Sequence, residues 1–115
     1  MDELLEKITS FRDERNWGQF HNLKDLAISL NLEASELLEL FQWKSSEEAI
    51  EQNKDKLQDE LADVLYYVLL MCNDLKIDPK EALLKKLQKN AEKYPVEKSY
   101  GSNKKYTELH GGTNE

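Results

Sequence analysis

Apolar residues recur at helical spacing along most of the chain. In the first segment, Leu4, Ile8 and Phe11 lie four and three positions apart, which places them on one face of a helix. The same kind of pattern returns three more times, and polar stretches separate the repeats. The predicted helices cover residues 3–15, 23–41, 55–75 and 79–94.

The stretches between these segments indicate turns and loops. Residues 15–22 contain Gly18 and two asparagines, which predicts a loop between the first two helices. Residues 44–55 are polar and predict a connection that contains a short helix. That short helix is expected to begin at Ser45 or Ser46, because serine is a favoured residue at a helix N-terminus.

Four helices with short connections predict an all-α protein built as a four-helix bundle. The bundle is expected in a single domain over residues 1–95, and a polar, partly ordered tail is expected over residues 96–115. The third helix is apolar on nearly all sides, which is more surface than a small monomer can cover. We therefore expect oligomerisation to complete the bundle.

Composition restricts the possible functions. The chain has 115 residues, a net charge of −7 and a sequence pI near 4.9, which argues against nonspecific binding to nucleic acids or anionic membranes. It has one cysteine, so no intrachain disulfide can form. Its first residues are acidic and lack the basic start and apolar core of a signal peptide, so none is expected, and no apolar run reaches the roughly 18 residues that would span a membrane. A cytoplasmic protein is expected.

Acidic residues stand at unusual places in this pattern. Asp63 is the one charged residue in the apolar run 61–72, and Glu60 precedes it by one helical turn. Glu33 and Glu36 have the same spacing in the leucine-rich second helix. A short connection favours antiparallel packing of these two helices, which would let the four carboxylates converge. Carboxylate oxygens suit Mg²⁺ or Mn²⁺, and without a Cys/His cluster zinc is a poor candidate.

The acidic spacing alone is weak evidence, because a chain this acidic contains several such pairs by chance. An alternative is that the four carboxylates form ion pairs with lysines instead of holding a metal. The lysines available for such pairs are Lys44, Lys54, Lys56 and Lys86.

Two longer strings make the pattern more specific. Residues 33–44 and 60–67 contain Glu-x-x-Glu and, after a gap of 23 residues, Glu-x-x-Asp. These strings resemble the all-α nucleoside triphosphate pyrophosphohydrolases, the MazG-like proteins. Residues 15–21 and 104–109 also resemble the dCTP pyrophosphatase branch of that superfamily. The resemblance extends over nearly the whole chain.

The resemblance implies a reaction and a site. The reaction is Mg²⁺-dependent hydrolysis of a nucleoside triphosphate to the monophosphate and pyrophosphate, with dCTP or a modified dCTP as the favoured substrate and Mn²⁺ as a possible substitute metal. Glu33, Glu36, Glu60 and Asp63 would be the metal ligands, and Glu36 or Glu33 would activate the attacking water. The family also implies a homodimer or homotetramer. Alternatives are another substrate, such as dUTP, another dNTP or phosphoribosyl-ATP, and a non-catalytic metal- or partner-binding bundle.

Several further residues are candidates for substrate binding, each with packing or solvation as the alternative. Trp17 and Trp43 resemble base-pocket positions, and an aromatic face can stack on a nucleobase. His21 could hydrogen-bond the base or a phosphate, and Tyr67 could contact the sugar. Polar and basic residues that could reach phosphate or sugar are Lys86, Asn90, Lys93, Lys104 and Lys105.

Overall fold

The computed structural model describes residues 2–101, and it is helical throughout that range apart from short turns. No β-strand occurs in those residues, so the predicted all-α class is confirmed. The contacts divide the chain into two compact units, one over residues 1–78 and the other from residue 79 onward. The elements are α1 (Asp2–Glu14), a 3₁₀ turn (Trp17–Phe20), α2 (Leu23–Glu39), α3 (Ser46–Asp74), α4 (Pro79–Lys93) and the single turn α5 (Val96–Ser99).

Helix α3 begins earlier than the sequence predicts. The expected short helix and the expected third helix are joined into one element, with non-helical backbone only at Asn53 (φ −129°, ψ 25°). Ser45 starts it through a capping box: its Oγ accepts from the Glu48 N–H at 3.1 Å, and Glu48 Oε1 accepts from the Ser45 N–H at 2.9 Å. At the kink, Asn53 Nδ2 donates to Leu40 O at 3.3 Å, which ties α3 to the end of α2.

Helices α2 and α3 form the most extensive helix pair in the first unit. The connection between them is only residues 40–45, and contacts run from Asn53 back to Leu40 and from Glu60 back to Glu33 and Glu36, which indicates antiparallel packing. The fully buried apolar side chains of this unit are Leu26, Ala49, Leu69 and Leu70.

Part of α3 is more exposed than expected. Leu61 and Leu65 leave 55% and 48% of their surface in solvent, and Asp63 is exposed as well. The apolar run around Asp63 predicts a helix that is buried on most of its surface, and this prediction is wrong for the single chain. Among the helices within residues 2–101, none combines the length and the apolar character needed to cross a membrane.

The boundary at residue 95 between a bundle and a tail stays a prediction. The second unit contains α4, which begins at Pro79, and the predicted tail starts with the single turn α5. The rest of the predicted tail, residues 102–115, lies outside the described residues.

The core position of Leu70 generates a stability prediction. Because Leu70 is fully buried, Leu70→Ala removes buried methyl groups and leaves a cavity, so we expect the free energy of unfolding to fall by about 2–5 kcal/mol. Leu38 is 70% exposed, and Leu38→Ala is the matched control, with an expected loss below about 1 kcal/mol. Urea denaturation followed by circular dichroism measures both, and equal losses would contradict this placement of the core.

Candidate active site

Three carboxylates meet where α2 packs against α3. Glu33 and Glu36 come from α2 and Glu60 from α3, and one oxygen from each lies within 4.8 Å of the others. The three-residue spacing of the first two places them on one face of α2, and antiparallel packing brings Glu60 opposite. The convergence that the sequence analysis expected is thus present for three of the four acidic residues.

The fourth residue, Asp63, lies one turn after Glu60 and close enough for its charge to act on Glu33. It also forms part of the wall of a groove between α1 and α3. Asp63 therefore stands between the acidic cluster and that groove.

Electrostatic repulsion shapes the cluster. Glu36 can share a proton with Glu33, and together with burial and the charges of Glu36, Asp63 and Glu60 this raises the pKa of Glu33 to about 7. Burial and the same neighbours also raise the pKa of Glu60. Each shift reflects the cost of holding several negative charges together without a cation.

The cluster fits a divalent cation. Glu33 Oε2 and Glu60 Oε2 are buried and have no hydrogen-bond partner within residues 2–101. In the same part of the chain, the ion pairs join other residues, and no lysine neutralises the cluster. The alternative of carboxylate–lysine pairs is not what the structure shows there. A set of hard oxygen donors around orphaned buried oxygens suits Mg²⁺ or Mn²⁺.

A groove of about 380 Å³ lies beside the cluster, between α1 and α3. Its walls are mainly apolar, and Tyr66 contributes a buried hydroxyl that has no hydrogen-bond partner within the described range. A small molecule could bury an apolar portion here. The lining residues are Lys7, Ile8, Phe11, Ala62, Asp63 and Tyr66.

An edge-to-face chain of aromatic rings runs along this groove. The Phe11 ring lies 5.7 Å from Trp17 and 6.2 Å from Tyr66, and Tyr66 lies 5.1 Å from Tyr67. The Arg15 guanidinium covers the Phe11 ring at 3.8 Å from its centroid. Two of the predicted binding residues, Trp17 and Tyr67, therefore contact the rings of Phe11 and Tyr66, which line the groove.

His21 and Trp43 occupy different surroundings. His21 ends the 3₁₀ turn, its Nδ1 is buried, and burial together with the charge of Arg12 lowers its pKa. Trp43 lies in the connection between α2 and α3, with left-handed backbone (φ 65°) and 94% of its surface exposed. Their roles in substrate binding stay predictions.

The remaining predicted residues belong to other parts of the chain. Lys86, Asn90 and Lys93 lie on α4, in the second unit. Lys104 and Lys105 lie outside the described residues. All five stay predictions as phosphate- or sugar-binding residues.

The sequence analysis missed Phe11 and Tyr66 as candidates for the site. Phe11 was assigned to the apolar face of the first helix, where packing against a core is the ordinary role. Tyr66 follows Asp63 by three positions, so it lies on the same face of α3 one turn later. That spacing from a candidate ligand was the available signal.

Comparisons with known proteins show which family the chain resembles. A sequence profile of the MazG-like family matches residues 28–109. The protein dCTP pyrophosphatase 1 of Bos taurus is 39% identical over 121 residues, which span 100% of this chain and 72% of that protein. The Homo sapiens protein of the same name is 36% identical, again over 100% of this chain and 71% of its own length.

A solved structure is also similar. The crystal structure of a pyrophosphatase from Archaeoglobus fulgidus DSM 4304 superposes with a TM-score of 0.78 and 45% sequence identity. The match covers 83% of this chain and 92% of that one.

The raised pKa of Glu33 generates a pH prediction for the metal-free protein. The native state binds this proton more tightly than the unfolded chain, whose glutamate pKa is near 4.5, so lowering the pH from about 8 to about 5.5 favours the native state through Glu33. The lowered pKa of His21 acts in the opposite direction in the same range. The variant Glu33→Gln removes only the first contribution.

We therefore expect the melting temperature of the wild type to rise relative to that of Glu33→Gln when the pH is lowered in the presence of EDTA. Saturating Mn²⁺ should abolish this difference in pH dependence, because a metal-bound carboxylate is deprotonated. Scanning calorimetry measures the effect. If the melting temperatures of the two metal-free proteins change with pH in the same way, the carboxylates of the cluster do not raise the pKa of Glu33.

Proposed function

Because the chain belongs to the MazG-like family and is a nucleoside triphosphate pyrophosphohydrolase, we propose that it hydrolyses dCTP to dCMP and pyrophosphate with Mg²⁺. The observation that carries this proposal is the acidic cluster between α2 and α3 beside an apolar groove between α1 and α3. A triphosphate needs a cation to approach carboxylates, and a nucleoside needs an apolar surface. The relatives named as dCTP pyrophosphatases support dCTP as the substrate.

In this proposal Glu33, Glu36 and Glu60 hold the metal, and Asp63 completes the set from the edge of the groove. When bound, Mg²⁺ supplies positive charge that offsets the carboxylates and stabilises the phosphate oxygens of substrate and leaving pyrophosphate. The carboxylates themselves fix the place of the triphosphate relative to the groove. Without this charge balance the acidic site would repel the substrate.

One carboxylate of the cluster also handles a proton. Hydrolysis adds a water oxygen to phosphorus while the bond between the α and β phosphates breaks, and the water must lose a proton. Glu33 is the proposed acceptor, because it belongs to the cluster that would hold the metal and an ionised carboxylate there can take the proton of a neighbouring water. Glu36, which shares the hydrogen bond with Glu33, is the alternative acceptor.

The groove is the proposed site of the nucleoside. Phe11 and Tyr66 offer ring faces and edges to an apolar sugar or base surface. Asp63 is shared by the groove and the cluster, so a nucleoside in the groove would have its phosphates next to the carboxylates. Trp17, His21, Trp43 and Tyr67 are proposed to complete the recognition of the base and sugar.

We also propose that the protein works as a homodimer or homotetramer in the cytoplasm. Ile28 and Leu32 on α2 and Leu61 and Leu65 on α3 are each about half exposed, although they are large and apolar. The two residues of each helix are four positions apart and so share one face of that helix, and exposed apolar faces of this kind are typical of an interface between subunits. A second copy of the chain would remove this surface from water.

A nucleotide panel tests the substrate. We expect pyrophosphate release from dCTP in the presence of Mg²⁺ and a lower kcat/KM for dUTP, other dNTPs and phosphoribosyl-ATP. Chelation of the metal with EDTA should abolish release, and Mn²⁺ should restore it. Equal kcat/KM values across the panel would contradict the preference for dCTP.

A matched pair of variants tests the cluster. Glu60→Gln keeps the size of the side chain but removes a charge from the cluster, so we expect kcat/KM to fall by at least about 100-fold. Glu51→Gln makes the same change at an exposed position of the same helix and should leave kcat/KM within about twofold. Wild-type activity in Glu60→Gln would place the reaction elsewhere.

Light scattering tests the oligomer. We expect a mass that is two or four times the chain mass of 13.5 kDa. Leu61→Asp puts a charge into the exposed apolar surface and should shift the mass towards the monomer. A wild-type mass of 13.5 kDa at all concentrations would contradict the proposal.

A further inference from the structure

Arg12 is the one buried charged residue among those the structure describes, with 9% of its surface exposed. Its Nη1 donates to Asp74 Oδ2 at 3.0 Å, and its Nη2 donates to Asp74 Oδ1 at 2.9 Å. These hydrogen bonds hold the pKa of Asp74 below its usual range. A paired geometry of this kind is strong and directional, and the loss of either partner would leave the other charge without compensation.

The pair joins two distant parts of the chain. Arg12 lies in the last turn of α1 and Asp74 is the last residue of α3, 62 positions later. Within residues 2–101 it is the one ion pair that connects these two helices. The rings of Phe11 and Tyr66 also meet across α1 and α3, and their contact is an aromatic one.

The third nitrogen of the guanidinium faces the 3₁₀ turn. Arg12 Nε is 4.0 Å from where a Cβ on Gly18 would lie, and it has no hydrogen-bond partner among the described residues. His21, at the end of the same turn, lies close enough for Arg12 and Asp74 to act on its charge. Arg12 Nε thus lies next to Gly18 of the turn that carries Trp17, while the other two nitrogens join α1 to α3.

The same two helices form the groove. Ile8 and Phe11 precede Arg12 by four residues and by one, and Tyr66 precedes Asp74 by two helical turns. A change in the distance between the ends of α1 and α3 would therefore move the α1 wall of the groove relative to the α3 wall. The acidic cluster lies between α2 and α3, so such a change would leave its three carboxylates in place.

We propose that the Arg12–Asp74 pair is a positioning element that sets the width of the nucleoside groove and the place of the Trp17–Phe20 turn beside it. The inference rests on the proposed function, because it assigns the groove to the nucleoside. The pair contacts neither the metal ligands nor the reacting atoms. It acts on nucleotide binding and leaves metal binding unaffected.

A double-mutant cycle tests this assignment. Arg12→Gln and Asp74→Asn each remove one charge with little change in size, and we expect each to raise KM for dCTP about tenfold. The double variant should show about the same KM as either single variant, because both substitutions remove one shared interaction. The value of kcat and the Kd for Mn²⁺ should stay within about twofold of the wild type.

The controls separate positioning from general stability. Lys85→Ala breaks an exposed ion pair with Glu81 on α4 and should leave KM unchanged. Arg12→Lys keeps the charge but loses the paired geometry, so we expect an intermediate KM. If Arg12→Gln does not fold, Arg12→Lys decides the question, and a wild-type KM in that variant overturns the proposal.

The readouts also distinguish this inference from the proposed reaction. Calorimetric binding of the non-hydrolysable analogue α,β-imido-dCTP with Mn²⁺ needs no turnover. If the wild type binds the analogue but releases no pyrophosphate from dCTP, the proposed reaction is refuted. The Kd of each variant for the analogue would still test the positioning role of the Arg12–Asp74 pair. Variants that fold and keep wild-type KM and Kd, or single effects that simply add in the double variant, overturn the positioning role.

Discussion

Mutual repulsion among carboxylates is the constraint around which the first unit is arranged. Packing of α2 against α3 brings Glu33, Glu36 and Glu60 within 4.8 Å of one another, and no cationic side chain within residues 2–101 is paired with them. Such a group favours the uptake of a proton or a cation, and the hydrogen bond with Glu36, burial and the neighbouring charges accordingly raise the pKa of Glu33 to about 7. A divalent ion bound there would neutralise part of the negative charge and allow a polyphosphate to bind.

Asp63 lies where the acidic cluster and the groove meet. This residue acts electrostatically on Glu33 and also lines the groove with Phe11 and Tyr66. A nucleoside triphosphate has the same division into an apolar, hydrogen-bonding end and a strongly charged end. In the proposed function the Arg12–Asp74 pair would position the groove. Metal and phosphate binding would then depend on the packing of α2 with α3, and nucleoside binding on the packing of α1 with α3.

Local features of the fold could be predicted from the sequence, and features that depend on distant residues could not. Helical spacing located α1, α2 and α4, and the Ser45–Glu48 capping signal was visible in the string itself. The continuation of α3 through Asn53 was missed, because a bond to Leu40 O stabilises the kink from outside the helix.

The candidate site divides in the same way. Its acidic cluster followed from three-residue spacing and a short connection between helices. The exposure of Leu61 and Asp63 did not, because burial depends on what covers a helix and not on its apolar content. The partners Arg12 and Asp74 are 62 positions apart, and no local pattern links them.

The most direct test of the central claim is the position of a bound metal. Crystals of the protein soaked with Mn²⁺ would be measured at a wavelength at which manganese scatters anomalously. The account predicts an anomalous peak between α2 and α3, within coordination distance of Glu33, Glu36 and Glu60. A peak at other residues, or none at these three at saturating Mn²⁺, would contradict it.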